Sequence, residues 1–351
     1  MARTWSRWLP AAVVPLVIAG SVAFAAQAGA EDLPERSPGD VLALLADRGH
    51  QPFSGEFEQT SDVGLPQLPG GVEVPGGDGD AAAVTSALEA LTSDHTGRVF
   101  VGEEHQARLQ VFDTFGERDV IVNGSDVWVY ESAENAAAHT TLPADAGDHA
   151  TTGEQLTPDA IADRVVEAAV PTTELSVRED VEVAGRAAYD LVLTPRTDAT
   201  LVGEVAIAVD GETGQPLQVT VTARGEQAPA FRVAYTLLDL TAPDADLFAF
   251  TPPAGADVEE VSPPAEALQG DETRSPDHEP TVIGTGWESV AIIEAGERAL
   301  ADQPLLTQLT SAVDGGRLLS TDLVNVLIAD DGRVLVGAVP LERLQAAAGS
   351  E

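Results

Sequence analysis

The sequence predicts a mainly β fold in which a long antiparallel sheet is interrupted by two helical inserts. The first observation is a hairpin from Val120 to Tyr130, where β-branched runs flank Asn123-Gly124, a dipeptide typical of a type I′ turn. The second is a series of alternating segments between turn residues that continues to Leu238. The third is that Val127 to Tyr130 is apolar on both faces, so both must be covered. Such a sheet must curl or pack on something.

The composition excludes several classes of function. The 351-residue chain carries a formal net charge of −40, and all 18 basic residues are Arg. Nucleic acid and anionic membrane surfaces would be repelled by this charge, so we expect no nucleic-acid partner. The chain has no Cys, which excludes disulfides, thiolate chemistry and the acylated N-terminal Cys of a lipoprotein.

The N-terminus resembles a secretory signal peptide, which we assign to residues 1–30. Arg3 and Arg7 precede an apolar run from Leu9 to Ala25, and Ala26-Gln27-Ala28 offers small residues for cleavage. An uncleaved membrane anchor remains the alternative, because the run approaches spanning length. Either reading predicts an extracytoplasmic location, secreted or in the cell envelope.

The first elements of the mature chain are a helix and a strand. Ser37 is placed to cap a helix that starts at Pro38 and ends near Gly49. Residues 53–60 alternate, which predicts a half-exposed strand. A Gly- and Pro-rich flexible excursion at 65–80 and a short helix at 81–91 follow.

Most of the remaining predicted strands form antiparallel pairs. The expected strands are 99–101, 107–112, the two arms of the 120–130 hairpin, 180–183, 187–194, 201–209, 217–223 and 231–238. The last strand places Phe231, Val233, Tyr235 and Leu237 on one face. Residues 136–153 are predicted to be a polar loop, and residues 157–170 a second helix.

The C-terminal part predicts a second, smaller domain. Residues 259–280 are acidic, contain Pro and lack periodicity, so we assign them as an interdomain linker. Residues 281–351 predict a small α+β module. Its expected elements are a strand at 286–293, a helix at 304–313, a hairpin across Asp330-Asp331-Gly332 and a helix at 341–348.

Several motifs, in this order, resemble the LolA-type lipoprotein carriers. The Val120–Tyr130 hairpin carries the most recognisable of them, an Asn-Gly turn followed by apolar residues with Trp and Tyr two apart. The others are Phe53–Thr60, Gly185–Pro195, Asp210–Leu217 and the closing motif Phe248–Ala256. The resemblance covers about residues 37–258.

This resemblance implies an incomplete, half-open antiparallel β-barrel over residues 31–258. Its lid helices would lie over a hydrophobic concave face that holds acyl chains. The two-domain arrangement is also similar to the RseB and MucB periplasmic regulators of anti-sigma factors. One feature departs from the carriers, which have a basic latch residue followed by Pro after the second strand. Here Gly102-Glu103-Glu104-His105 stands at that place.

We expect the ligand cavity to be lined by inward-pointing apolar and aromatic side chains of the strands. The candidates are Phe57, Phe100, Leu109, Val111, Trp128, Tyr130, Leu191, Leu193, Val205, Ile207, Val219, Phe231 and Tyr235. Trp128 and Tyr130 either line this cavity or fill a core. The six His are scattered without zinc spacing, and no Gly-x-Ser-x-Gly elbow occurs. We therefore expect no catalytic residue, metal or cofactor.

Three functional hypotheses follow. The first is a non-enzymatic carrier or sensor that binds the acyl chains of lipids or lipoproteins. The second is an RseB-like regulatory module that binds an anti-sigma factor or another membrane partner through its C-terminal domain. The third is a structural envelope protein with a solid core.

Overall fold

The computed structural model describes residues 33–64, 94–103, 105–113, 116–142, 172–261, 281–294 and 309–349. The predicted signal peptide, the excursion at 65–80 and the helices at 81–91 and 157–170 lie outside these residues. No helix in the described part is long and apolar enough to cross a membrane.

The larger sheet is built from thirteen strands in the described residues. Their bounds are β1 Phe53–Ser61, β2 His95–Val101, β3 Gln106–Asp113, β4 Gly116–Asn123, β5 Asp126–Glu131, β6 Ala136–Thr141, β7 Thr173–Val177, β8 Val181–Val183, β9 Arg186–Pro195, β10 Val202–Asp210, β11 Pro216–Ala223, β12 Pro229–Asp239 and β13 Asp257–Glu260. They follow the order β13-β6-β5-β4-β3-β2-β1-β12-β11-β10-β9-β7, and β8 also pairs with β9.

Within the described residues, this sheet is open and does not close into a barrel. All its described pairs are antiparallel except that of β13 with β6, which is parallel. The two terminal strands, β13 and β7, do not pair with each other in the described chain. The structure therefore confirms a mainly β fold with an open, barrel-like sheet.

The smaller sheet has six described strands and one helix. The strands are β14 Thr281–Ile283, β15 Val290–Glu294, β16 Ser311–Val313, β17 Gly316–Ser320, β18 Asn325–Ala329 and β19 Arg333–Gly337. They are arranged in the order β14-β15-β19-β18-β17-β16. A helix at Leu341–Ala348 packs Leu344 and Ala347 into a buried cluster with Leu335. We call residues 33–261 the main unit and residues 281–349 the C-terminal unit.

The helix α1, Pro38–Ala46, begins as predicted. Ser37 and Asp40 form a capping box, in which the Ser37 hydroxyl accepts from the Asp40 amide and the Asp40 carboxylate accepts from the Ser37 amide. The helix ends three residues before Gly49, where the Asp47 amide donates to the Ala43 carbonyl.

The Val120–Tyr130 hairpin is present, but its turn differs from the prediction. Asn123 pairs with Asp126, so Gly124 and Ser125 are the two central residues. Gly124 has a φ of +62°, whereas Ser125 is not among the residues with positive φ. Positive φ at the first central position alone is the type II′ pattern, so the predicted type I′ turn is wrong.

Three predicted segments are corrected. Residues 136–141 form the strand β6 instead of a loop, because they pair with β5 along their whole length; Ala136–Ala138 are 0 to 8% exposed. Residues 311–313, predicted to be helical, form β16. The strand expected from 286 starts only at Val290, after a 3-10 turn at Gly286–Glu288.

Two further differences arise from long-range pairing. Glu259 and Glu260, assigned to the linker, end β13; residues 262–280 lie outside the described chain. In β12 the register shifts, so that Leu237 opposes Glu56 and Tyr235 opposes Phe57. This bulge turns Leu237 away from the face of Tyr235 and leaves it 53% exposed.

Candidate functional site

The main sheet has two faces of different character. We call inner the face on which α1 lies and whose side chains form the largest buried cluster. Val41 and Leu45 of α1 belong to this cluster and are 0 and 1% exposed. We call the opposite face outer. The inner face is the candidate functional site.

One row of aliphatic side chains crosses four neighbouring strands of the inner face. Ile207 on β10 lies opposite both Leu191 on β9 and Val219 on β11, and Val219 lies opposite Val233 on β12. All four side chains are at most 1% exposed. The row is a continuous, buried apolar layer without a charged group.

Aromatic rings continue this surface toward β1. Tyr235 lies opposite Phe57, and its ring meets the rings of Phe53 and Phe57 edge-on at centroid distances of 6.1 and 6.3 Å. The inner-face cluster, with the partly buried side chains packed on it, brings together ten of the thirteen predicted cavity residues. They are Phe57, Leu109, Val111, Leu191, Leu193, Val205, Ile207, Val219, Phe231 and Tyr235.

The other three predicted residues lie on the outer face. Trp128 lies opposite Ile121, one position from the Val120 to Val129 pair that belongs to the inner cluster. Its indole stacks on His139 at 4.3 Å and meets the ring of Phe250 at 5.3 Å. Tyr130 also contacts Phe250. By the same alternation Phe100, next to the inner residue Val99, points outward. The structure thus places these rings apart from the inner face.

The closing segment after β12 covers the outer face. Arg108 donates to the Leu247 carbonyl at 3.1 Å and to the Asp119 carboxylate at 2.7 Å. Phe248 is 1% exposed and packs close to Gly102. The start of the closing motif, with Leu247 before it, therefore packs on the outer face of the sheet between β2 and β5.

One end of the inner face is closed by α1 and the residues before it. Leu33 donates its amide to the Asp180 carboxylate at 3.0 Å, and the Tyr189 hydroxyl donates to the Pro34 carbonyl at 2.9 Å. Gly214, in the β10–β11 turn, has a φ of +76° and lies against the Leu44 carbonyl so closely that no side chain fits between them.

A buried ion pair shapes that turn. Arg186 donates to both oxygens of Asp210, at 2.6 and 3.0 Å, and Asp210 is 1% exposed. The Asp210 carboxylate also accepts from the amide and hydroxyl of Thr213. Burial raises the pKa of Asp210, but the bonds from Arg186 and Thr213 outweigh it, so the net pKa lies below the usual value.

His50 holds the other side of this end. Its Nε2 donates to the Gly102 carbonyl at 2.9 Å and so joins the segment after α1 to the β2–β3 turn. This is the turn where the LolA-type pattern has its basic latch and this chain has Glu103. No sequence motif indicates His50, because it precedes β1 and contacts a residue 52 positions away in the chain.

The opposite end of the inner face is closed by the C-terminal unit. Leu323 is 5% exposed and belongs to the inner-face cluster of the main unit. The Asp322 amide donates to the Val63 carbonyl at 3.0 Å. The Ala338 carbonyl accepts from both the Thr200 hydroxyl and the Leu201 amide. No local sequence pattern predicts this docking.

Comparisons with known proteins found similar solved structures. No family model and no curated protein sequence matches the chain. The MucA/MucB complex of Pseudomonas aeruginosa contains a chain of 19% identity, with 89% of this chain and 96% of that chain covered and a TM-score of 0.43. A LolA superfamily protein from Nitrosomonas europaea has 9% identity, with 62% and 99% covered and a TM-score of 0.24.

The fold is similar to theirs. These are the two kinds of protein that the sequence motifs resemble. At these identities and TM-scores the likeness concerns the fold alone.

Proposed function

We propose that this protein is an exported, non-enzymatic binding protein of the cell envelope that takes up the acyl chain of a lipid or lipoprotein against its inner face. The observation that supports this is the inner face itself. Ten predicted cavity residues come together in one largely buried apolar cluster, on a sheet whose end strands β13 and β7 do not pair within the described residues. The site offers no charged side chain that would favour a polar ligand in the row around Ile207.

The energetics of such a surface suit an acyl chain. Burial of each methylene contributes about 0.8 kcal/mol, so ten buried methylenes contribute about 8 kcal/mol. This is the free energy of a complex with a dissociation constant near 1 μM, before the cost of immobilising the chain. Affinity is therefore expected to rise with chain length until the surface is covered.

The proposal is tested by filling each face of the sheet in turn. Leu191→Phe adds volume to the inner row, and Ile121→Phe adds the same kind of volume to the outer face; the two native residues are 0 and 1% exposed. Titration of each purified variant with a fluorescent fatty-acid analogue measures binding. We expect Leu191→Phe to weaken binding about tenfold or more, which is about 1.4 kcal/mol, and Ile121→Phe to leave it near the wild-type value.

Two outcomes separate this proposal from its alternatives. If both variants weaken binding equally, the ligand does not bind against the inner face. Absence of any uptake by the wild-type protein would favour the solid-core alternative. Circular dichroism of both variants checks that the added ring has not unfolded the sheet.

A second candidate is a regulatory module that binds a membrane-protein partner through the C-terminal unit. The observation that favours it is Val282, which is 60% exposed on the edge strand β14. Removing the whole unit would expose the cluster around Leu323, so a point variant is the better test. Val282→Arg should abolish co-purification with an identified envelope partner and leave acyl binding unchanged; retained co-purification would reject this role for β14.

A further inference from the structure

The strand β13 is an end strand that is joined to the main sheet through β6. It has four residues, Asp257–Glu260, and within the described residues it pairs with β6 alone, in parallel. Before β13, the closing segment lies on the outer face, where Phe250 contacts the rings of Trp128 and Tyr130. After β13, the chain leads to the C-terminal unit. A group that fastens β13 to β6 therefore also fastens the far end of the closing segment.

His139 on β6 has both of its ring nitrogens against carboxylates. Its Nδ1 lies 2.9 and 3.1 Å from the two carboxylate oxygens of Glu260 on β13. Its Nε2 lies 3.1 Å from Oδ1 of Asp126 on β5. The same Asp126 oxygen accepts from the Thr141 hydroxyl at 3.4 Å. The imidazole thus connects three neighbouring strands, with its side chain only 15% exposed.

This arrangement is complementary to an imidazolium ring. A carboxylate only accepts hydrogen bonds, and a neutral imidazole has a single N–H, so either neutral tautomer would turn a lone pair toward one of the two carboxylates. An imidazolium donates from both nitrogens and binds both. The indole of Trp128 also stacks on the His139 ring at 4.3 Å and 25°, and the face of an aromatic ring attracts a cation.

The two carboxylates differ in how firmly they are held. Asp126 begins β5, where it lies opposite both Asn123 of β4 and Thr141 of β6. Glu260 ends the short strand β13, and its side chain is 74% exposed. These are the two titratable side chains that the described structure places in contact with the His139 ring. When the ring loses its proton, Glu260 is the partner that moves away more easily.

We propose that His139 is a pH-dependent clamp that holds β13, and with it the end of the closing segment, on the main sheet. The protonated ring binds Asp126 and Glu260 together, and the neutral ring releases Glu260 and weakens the pairing of β13 with β6. The clamped state binds the proton, so opening of β13 increases as the pH rises through the range of about 5 to 8 in which histidine side chains titrate. This inference does not depend on acyl-chain binding.

Amide hydrogen exchange of the full chain tests the clamp at about pH 5.5 and about pH 8, after correction for the pH dependence of intrinsic exchange. The reporters are the amides of Asp257 and Val261, which donate to the carbonyls of Asn135 and His139. We expect their protection to fall about fivefold at the higher pH, which corresponds to about 1 kcal/mol, the upper end for a partly exposed ion pair. Protection of the β10 amides, which reports opening of the whole sheet, should not change.

Three variants assign the effect to the clamp. His139→Gln removes the titrating ring, and Glu260→Gln removes only the charge of an exposed side chain; both should show low protection of the reporters at either pH. Glu260→Gln decides the question if His139→Gln does not fold. His50→Gln is the control, because His50 bonds to the Gly102 carbonyl and not to a carboxylate, and it should keep the fivefold change of the wild-type protein.

Two results would overturn the inference. One is a wild-type protein whose reporter amides are equally protected at both pH values. The other is a pH dependence that persists unchanged in His139→Gln or Glu260→Gln. Nitrogen-15 NMR of the wild-type ring gives an independent readout. At the lower pH both nitrogens of His139 should carry a proton, and a ring with a single proton would contradict the clamp.

Discussion

Arg186 and Asp210 form a bidentate ion pair at the turn that supports α1, with donor to acceptor distances of 2.6 and 3.0 Å. Asp210 is almost wholly buried, and Arg186 reaches it from the start of β9. The pair therefore joins the β8–β9 and β10–β11 hairpins beneath the segment that closes one end of the inner face.

We predict that Asp210→Asn lowers the free energy of unfolding by about 3 kcal/mol, because it removes the buried anion of a partly buried guanidinium and leaves only the exposed Glu212 to pair with it. Urea unfolding at neutral pH measures this loss. Glu212→Gln removes the charge of the other carboxylate that pairs with Arg186. Because the Glu212 side chain is 82% exposed, this change should cost less than about 1 kcal/mol. Equal losses in the free energy of unfolding would show that the burial of Asp210 does not make its ion pair stronger than that of Glu212.

The same pair predicts an acid limb of stability. The pKa of Asp210 is lowered by folding, so its ionised form favours the folded state. Its contribution is complete above the unfolded pKa, near 3.8, and is lost as the pH falls through the lower folded value. Unfolding measured across this acid range should show a weaker pH dependence in Asp210→Asn than in the wild-type protein. An identical slope would contradict the assignment.

Gly214 is predicted to be irreplaceable for a steric reason. Gly214→Ala combines a left-handed φ with overlap against the Leu44 carbonyl, and we expect a loss of about 3 kcal/mol or more. Gly124 also has a left-handed φ but has open space around it, so Gly124→Ala should cost about 1 kcal/mol. Thermal unfolding of the two variants compares them. A similar loss of stability in both variants would mean that the close contact between Gly214 and the Leu44 carbonyl of α1 adds no steric cost.

The Arg108 to Asp119 pair under the closing segment gives a further prediction. Arg108→Met leaves the Asp119 carboxylate, whose side chain is 4% exposed, without its cation and should cost about 3–5 kcal/mol. The double variant Arg108→Met/Asp119→Leu should recover most of this loss, since no buried charge then remains. Chemical denaturation of the single and double variants measures the recovery.

The more exposed pair of Arg118 and Glu131 provides the control for that cycle. Its side chains are 40 and 25% exposed, so Arg118→Gln should cost less than about 1 kcal/mol. If the double variant at Arg108 and Asp119 is no more stable than Arg108→Met, the loss comes from the missing bond to Leu247 and not from the stranded charge.

The sequence predicted the strands that carry their own alternating pattern. Those from β9 to β12 combine β-branched residues on alternate positions with Gly turns, and they formed where expected. The strands β6 and β13 were missed because Ala-rich and acidic segments have little intrinsic β preference. They are strands because β5 and β6 offer them backbone partners.

The site could be predicted only in part. Alternation separates the two faces of a strand but does not say which is inner, so Trp128 and Tyr130 were grouped with side chains that point the other way. The bulge opposite Phe57 also places Leu237 on the opposite face from Tyr235, which simple alternation does not predict. Leu323 reaches the inner cluster through packing of two distant parts of the chain, and no local pattern encodes such docking.

The most direct test of acyl-chain binding is native mass spectrometry of the exported protein purified without detergent. We expect species heavier than the polypeptide by the mass of a lipid or acylated molecule, and we expect Leu191→Phe to reduce their fraction while Ile121→Phe does not. Protein that is repeatedly lipid-free and takes up no added fatty acid would contradict it.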